Sequence, residues 1–327
     1  MTDQAQHAFY PLLKGSINLY LHMLKYGDDG KLHLPLLHSP EYSKDGDVDN
    51  NYNLSLLRWG CTTLLGLNER YGFKDQQRSE WERILRDLVP YPQNENGFMI
   101  GATIPFAKSH RHWAHLMMVW PLHMLSVEQP ENKALVERTI NHWLTVEGGR
   151  EIYGWSSAAA SLLYSSMGNG EKALEQLRAH HNNKWSVMPN TMYIEIYPVI
   201  ECSLFSAKAL QDMLLQSWGD HIRIFPAMPA EWKEAKFLDL RAEGAFLVSA
   251  ARANGFTRWV KIRSLAGAPC KVSPGFVGAF ETSMPSVKMR EVEPGIYELG
   301  LGRGEEVILF QNSGDVLPKK ALRGVAL

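Results

Sequence analysis

Long apolar runs are missing from this chain: no segment approaches the roughly 20 consecutive apolar residues of a membrane-spanning helix. Nor does a basic stretch followed by an apolar one open it after Met1, so as written the chain is expected to stay in the cytoplasm where it is made. Cysteine is scarce, and Cys61, Cys202 and Cys270 are far apart and odd in number, which argues against a disulfide framework or a zinc knuckle. Charge of one sign is also lacking. The 34 basic and 35 acidic residues nearly cancel without forming runs, so there is no electrostatic footprint for nucleic acid or an anionic membrane, and a neutral partner fits better. A Gly-rich phosphate loop, a Gly-x-Ser-x-Gly elbow and a Cys-x-x-Cys pair are all absent. Phosphoryl transfer, serine hydrolase chemistry and dithiol redox chemistry therefore lose their sequence support. No fixed-period repeat or low-complexity segment interrupts the chain.

What is present is a globular composition, 45% hydrophobic over 327 residues, with room for two domains. Up to about Trp218 the apolar spacing is helical. Between Asn51 and Tyr71 it puts Leu54, Leu57, Cys61, Leu64 and Leu65 on one face, with Asp49 and Asn50 where an N-cap belongs. Similar stretches predict helices over Pro11–Lys25, Gln77–Val89, Arg111–Leu125, Lys133–Leu144, Ser156–Met167, Gly170–His181 and Ser203–Ser217, eight in all. Long loops rich in Gly, Pro and Asn separate them, among them Gly27–Asp49, Pro90–Ser109 and Lys184–Glu201, and loops of that length are more often functional than accidental. After Trp218 the period becomes two, with short strands expected around 222–225, 236–241, 245–251, 258–262, 295–299 and 307–310, and a hairpin turn at Asn254-Gly255. The expected organisation is a helical domain over 1–218 and a small antiparallel β-sandwich over 219–327.

Two glutamates stand out because they sit in short polar interruptions of helical sequence: Glu41 in Ser39-Pro40-Glu41 and Glu201 in Pro198-Val199-Ile200-Glu201. A pair of carboxyl groups across a glycosidic bond is what sugar hydrolysis requires, one protonating the leaving oxygen and one activating water. Leu36, Leu37 and Tyr42 near Glu41 predict a raised pKa suited to an acid, although a plain surface glutamate is the blander alternative. Glu201, ahead of a helix, suits a base or an ordinary cap. The densest polar cluster is Ser109-His110-Arg111-His112-Trp113-Ala114-His115. His112 and His115 would share a helix face, and with His110 they raise the question of a metal, but Arg111 among them would repel a cation and no carboxylate is included. Hydrogen bonding to hydroxyl or carboxylate groups is favoured, level with satisfied structural histidines. Asn51, Asn190 and Tyr193 can exchange hydrogen bonds with sugar hydroxyls, while caps and turns are their commoner work. No metal and no other cofactor is expected.

With these segments the chain resembles the later part of a glycoside hydrolase family 95 protein, the family of inverting α-L-fucosidases and α-L-galactosidases. Ser39-Pro40-Glu41 resembles the family's Ser-Pro-Glu segment, whose glutamate is the general acid. His110-Arg111-His112-Trp113-Ala114-His115-Leu116 resembles its His-Arg-His-x-Ser-His-Leu segment, which lines the sugar pocket. Pro198-Val199-Ile200-Glu201, twelve residues before Met213-Leu214-Leu215-Gln216-Ser217, resembles a stretch in which an aspartate stands that distance ahead of Met-Leu-Leu-Gln-Ser; Glu201 takes the aspartate's place. The family's upstream Asn-x-Asn pair, which positions water, has no counterpart before Glu41. The resemblance implies an (α/α)6 toroid-like helical domain, incomplete in this chain, followed by the β domain. It also implies secretion or export of the family's proteins, and completion of the barrel by a missing N-terminal portion or by an oligomer.

The expected function is therefore inverting hydrolysis of a terminal α-L-fucosyl or α-L-galactosyl residue, with Glu41 as acid, Glu201 as base, and His110, Arg111, His112, His115, Asn51, Asn190 and Tyr193 binding the sugar. Two rivals remain: an inactive carbohydrate-binding relative, and a polysaccharide lyase using His112 or Tyr193 as base.

Overall fold

Asn50 fixes where the second helix begins. Its side-chain oxygen accepts from the backbone N–H of Asn53 at 2.9 Å, and Gly72, in the left-handed region at φ 67°, closes the other end. In the computed structural model, which describes residues 3–182, 187–190, 192–194 and 197–311, with side chains from residue 8 onward, the helical elements in order are α1 (Asp3–Met23), α2 (Asn51–Tyr71), α3 (Arg78–Asp87), α4 (Pro130–Thr145), α5 (Ser156–Ser166), α6 (Gly170–Asn182) and α7 (Ile200–Leu214). Two short hairpins, β1 (Lys25–Tyr26) with β2 (Leu32–His33) and β3 (Gln93–Asn94) with β4 (Gly97–Phe98), lie between them. The chain divides into two compact units, Met1–Met167 with Gln176–Ser206, and Gly168–Glu175 with Ala207–Leu327.

In the first unit, the apolar face read from α2 is the core. Leu54, Leu57, Cys61 and Leu64 are fully buried against Ile17 of α1 and Trp81 and Ile84 of α3. Gly60 lets α1 approach closely, since a Cβ there would run into the Ile17 side chain. A buried polar layer crosses this core without leaving its groups stranded: Tyr20 donates to Asn53 at 2.7 Å, and the Asn68 amide donates to Tyr10 and to the Leu64 carbonyl.

The helix expected over Arg111–Leu125 does not form, so the described residues hold seven α-helices. Pro121 has no N–H to donate and disfavours helical geometry at Trp120. Only a 3₁₀ turn at Ala114–Leu116 survives, and the N–H groups of Leu122, Met124 and Leu125 return to the carbonyls of Met117 and Met118. No helix among the described residues is long and apolar enough to cross a membrane.

In the second unit, two five-stranded sheets share one core. The first runs β12 (Met289–Glu293), β13 (Ile296–Leu299), β10 (Cys270–Ser273), β6 (Ile222–Ile224), β5 (Leu215–Gln216). The second runs β11 (Glu281–Thr282), β14 (Glu306–Phe310), β9 (Phe256–Ser264), β8 (Phe246–Ala253), β7 (Ala235–Ala242). Ile222, Val272 and Leu299 from one sheet meet Val248, Val260, Ile262 and Leu309 from the other. The expected hairpin is there: Asn254 (φ 51°) and Gly255 (φ 83°) join β8 to β9. The sandwich departs from a purely antiparallel pattern at one pair, β10 with β6, which is parallel.

Candidate active site

The loop ahead of α2 is pinned at its base and turned at its tip. Leu37 and Asp47 exchange backbone hydrogen bonds at 3.0 and 2.9 Å, and the Asn50 amide donates to the Leu37 carbonyl at 2.8 Å. Beyond this base, Tyr42 points inward, 4% exposed, with its ring 5.1 Å from that of Phe106 and its hydroxyl accepting from the N–H groups of Ala107 and Lys108. Its neighbour Glu41 points the other way. Glu41 occupies the left-handed region at φ 54°, which costs a non-glycine residue roughly 1–2 kcal/mol and is held by the surrounding contacts.

A second segment comes to meet it. Ser109 N–H donates to Glu147 at 2.9 Å, the Ser109 hydroxyl accepts from Glu151 N–H at 2.9 Å, the Trp143 indole donates to the His110 carbonyl at 2.8 Å, and the Ser156 hydroxyl donates to the Arg111 carbonyl at 2.9 Å. With three consecutive residues, Ser109 to Arg111, held in this way, the Arg111 and His112 side chains project toward Glu41. The Arg111 guanidinium pairs with Glu41 Oε2, and His112 Nε2 stands 3.2 Å from the same oxygen. Behind them, Arg111 lies over the Tyr153 ring at 5.9 Å and His112 packs 5.6 Å from Trp155.

This arrangement reverses the expected electrostatics of Glu41. Its carboxyl is held below the ordinary carboxylate value, first by the hydrogen bond with His112 and then by the charge of Arg111, and its side chain is 59% exposed rather than enclosed by Leu36 and Leu37. His110 sits one layer deeper, 5.0 Å ring to ring from His112, with its Nε2 3.4 Å from the Pro40 carbonyl. Burial, helped by His112, pushes its pKa down to about 4, so it is neutral. The site thus offers a guanidinium and an imidazole beside one carboxylate, a set suited to gripping hydroxyl groups and passing a proton at one oxygen.

Several residues expected to bind sugar are placed elsewhere. His115, with the helix gone, does not share a face with His112; it is buried, stacked on Phe106 at 4.3 Å, and burial drives its pKa down to about 3. Asn51 is fully buried, its amide donating to the Pro92 and Met99 carbonyls at 2.9 and 2.7 Å, so it braces the neighbouring loop. Tyr193 belongs to a different cluster: its hydroxyl lies 2.9 Å from His181 Nδ1, its ring stacks on His180 at 4.6 Å, and burial raises its pKa. Asn190 is exposed and closes a turn by accepting from Met192 N–H at 3.1 Å. Among the described residues, no group of three or more His, Cys, Asp or Glu side chains is placed to hold a metal ion.

Glu201 lies inside the first turn of α7 rather than ahead of the helix, and is exposed. One turn further on, Phe205 stacks against Trp155 at 6.5 Å, which links the Glu201 end of α7 to the ring that backs His112. Tyr153, Trp155 and Glu147 are the site residues that sequence reasoning missed. Their signal was slight, an aromatic-rich Tyr153-Gly154-Trp155-Ser156 just before a helix.

Comparison with known proteins bears on this same arrangement. The family model described as the glycosyl hydrolase family 95 catalytic domain matches residues 2–214, and the one described as the glycoside hydrolase family 95 C-terminal domain matches residues 216–308. The chain belongs to glycoside hydrolase family 95. Among relatives of this family 95 chain, alpha-L-fucosidase 2 of Arabidopsis thaliana is 26% identical over 263 residues, covering 73% of the chain and 31% of the relative. Two solved structures share its fold. A kojibiose phosphorylase from the human microbiome has a TM-score of 0.52 at 14% identity, over 82% of this chain and 39% of that one. The alpha-L-rhamnosidase of Streptomyces avermitilis, solved with L-rhamnose, has a TM-score of 0.50 at 10% identity, over 95% and 31%. The family 95 chain therefore spans about a third of the length of the proteins it matches.

Proposed function

We propose that this chain carries the acid side of a glycosidase site that releases a terminal α-L-fucosyl or related α-L-galactosyl residue from an oligo- or polysaccharide, with inversion. Supporting this reading is the convergence of Glu41 with Arg111 and His112, since two segments 70 positions apart place one carboxylate, one guanidinium and one imidazole together. In the free site Glu41 is ionised, as its lowered pKa requires. When sugar hydroxyls take over the hydrogen bonds of His112 and Arg111 and displace water, both stabilising influences on the carboxylate weaken. Its pKa then rises, and it takes up the proton it must deliver to the leaving oxygen. Glu201 is the proposed base, activating water from the opposite side; inversion would require a carboxyl separation of roughly 6.5–9.5 Å.

The test compares wild type with Glu41→Gln on a fucosyl disaccharide and on a nitrophenyl α-L-fucoside, whose leaving group needs no proton. Loss of the acid should lower turnover of the disaccharide by about 10²–10⁴-fold and of the nitrophenyl glycoside far less. Proton NMR of the first product should show the inverted anomer. Disaccharide hydrolysis undiminished by Glu41→Gln would overturn the assignment.

A further inference from the structure

The two proposed carboxylates sit on different segments, and one aromatic side chain touches both supports. Trp155, half-buried at the entrance to α5, has the His112 ring 5.6 Å away at 50° on one side and the Phe205 ring 6.5 Å away, nearly parallel at 25°, on the other. Phe205 is braced on its other side. It is wedged edge-on against Trp113 at 5.3 Å and Trp120 at 5.6 Å, both buried. The adjacent Ser206 fixes the same turn of α7 from another direction, its hydroxyl 2.9 Å from His181 Nε2.

Glu201 precedes Phe205 by four residues on α7, so the two share a helix face, and helical side chains lean toward the N-terminal end. A continuous line of contact therefore runs from Glu41 through His112, Trp155 and Phe205 to the turn that carries Glu201. Next to Trp155, the Ser156 hydroxyl holds the Arg111 backbone, so the same short segment also fixes the other partner of Glu41. Trp113, next in sequence to His112, also meets Phe205 at 5.3 Å, so Trp155 shares the bridging of the two supports with that ring, and it is Trp155 that faces the His112 imidazole itself.

We infer that Trp155 is a positioning residue, an indole strut that sets the gap between the Glu41 cluster and the Glu201 end of α7. The inference rests on the proposed hydrolase reading for its catalytic consequence, but not for its structural one. Substituting the indole with a methyl group leaves His112 without its wall and Phe205 without its stacking partner. A displacement near 1 Å at a reacting group costs on the order of 10²-fold in rate.

The test uses the full chain with Trp155→Ala and Trp155→Phe, each checked by thermal melting. In NMR spectra of the sugar-free protein, Trp155→Ala should move the His112 C2–H and Phe205 ring resonances together, and Trp155→Phe should move both by less. This readout needs no activity, so it separates failure of the strut from failure of the hydrolase reading. On glycoside, Trp155→Ala should lower kcat about 100-fold with KM changed only a few-fold, and Trp155→Phe should restore kcat to within about tenfold of wild type. A folded Trp155→Ala protein with unmoved His112 and Phe205 resonances, or with wild-type kcat, overturns the inference. If Trp155→Ala does not fold, Trp155→Leu is read by the same two resonances and the same kcat.

Discussion

His112 Nε2 approaches the Glu41 oxygen that Arg111 also engages, so both donors converge on one atom of the carboxylate. The His112 hydrogen bond is the foremost cause of the lowered Glu41 pKa, ahead of the charge of Arg111.

Replacing His112 with Phe should therefore raise the Glu41 pKa. A general acid must be protonated, so kcat/KM falls as pH rises through the free-enzyme pKa of that group. The descending basic limb of the profile should move to higher pH in His112→Phe, while its maximum drops through lost sugar contact. A pH–rate series on a fucosyl disaccharide, whose leaving oxygen needs the proton, with a ¹³C-carboxyl titration of Glu41, checks the direction.

Buried neutral histidines make stability depend on pH in a definite sense. His110, His115 and His180 have pKa values pushed down to about 4, 3 and 4 by burial, against 6.5 when unfolded. Between pH 6.5 and about 4 the unfolded chain binds more protons than the folded one, so stability should fall as pH falls through that window.

His115 offers the sharpest case, since neither ring nitrogen has a hydrogen-bond partner among the described residues. His115→Phe should recover about 2 kcal/mol at pH 5 relative to its effect at pH 8, seen as a flatter dependence of Tm on pH.

Two glycines of α2 should respond in opposite directions. Gly66 has open space around its absent Cβ, so Gly66→Ala should stabilise by about 0.5–1 kcal/mol through helix propensity. Gly60→Val would drive a branched side chain into Ile17 and should cost about 1–3 kcal/mol, both read by urea denaturation.

Local signals made much of this fold legible in the sequence. Asn50 caps α2 and Gly72 stops it, so both bounds follow from residues adjacent to them; the face through Leu54, Leu57, Cys61 and Leu64 needed only period counting. The same counting failed over Arg111–Leu125, where Trp113, Leu116, Met117 and Trp120 imitate a helical stripe while Pro121 breaks the ladder. Strand β12, at a sheet edge and largely exposed, showed too little apolar alternation to be found. At the site, Glu41, Arg111 and His112 were named from their segments, but the sign of the Glu41 shift was not legible. It depends on partners 70 and 71 positions away, whereas the neighbours Leu36 and Leu37 suggested the opposite.

Asp47 carries a consequence for the mobility of the loop that holds Glu41. Its carboxylate accepts from the N–H and hydroxyl of Thr103 at 2.9 and 2.8 Å and from the N–H of Ile104 at 2.7 Å, and Gly101 is pressed against it too closely for a side chain. The Glu41-bearing loop and the strap that follows β4 are thereby riveted into one plate. A swinging flap at Glu41 would have to shear three charge-assisted bonds at once, so under the proposed reading a glycan would meet a Glu41 loop that keeps its place.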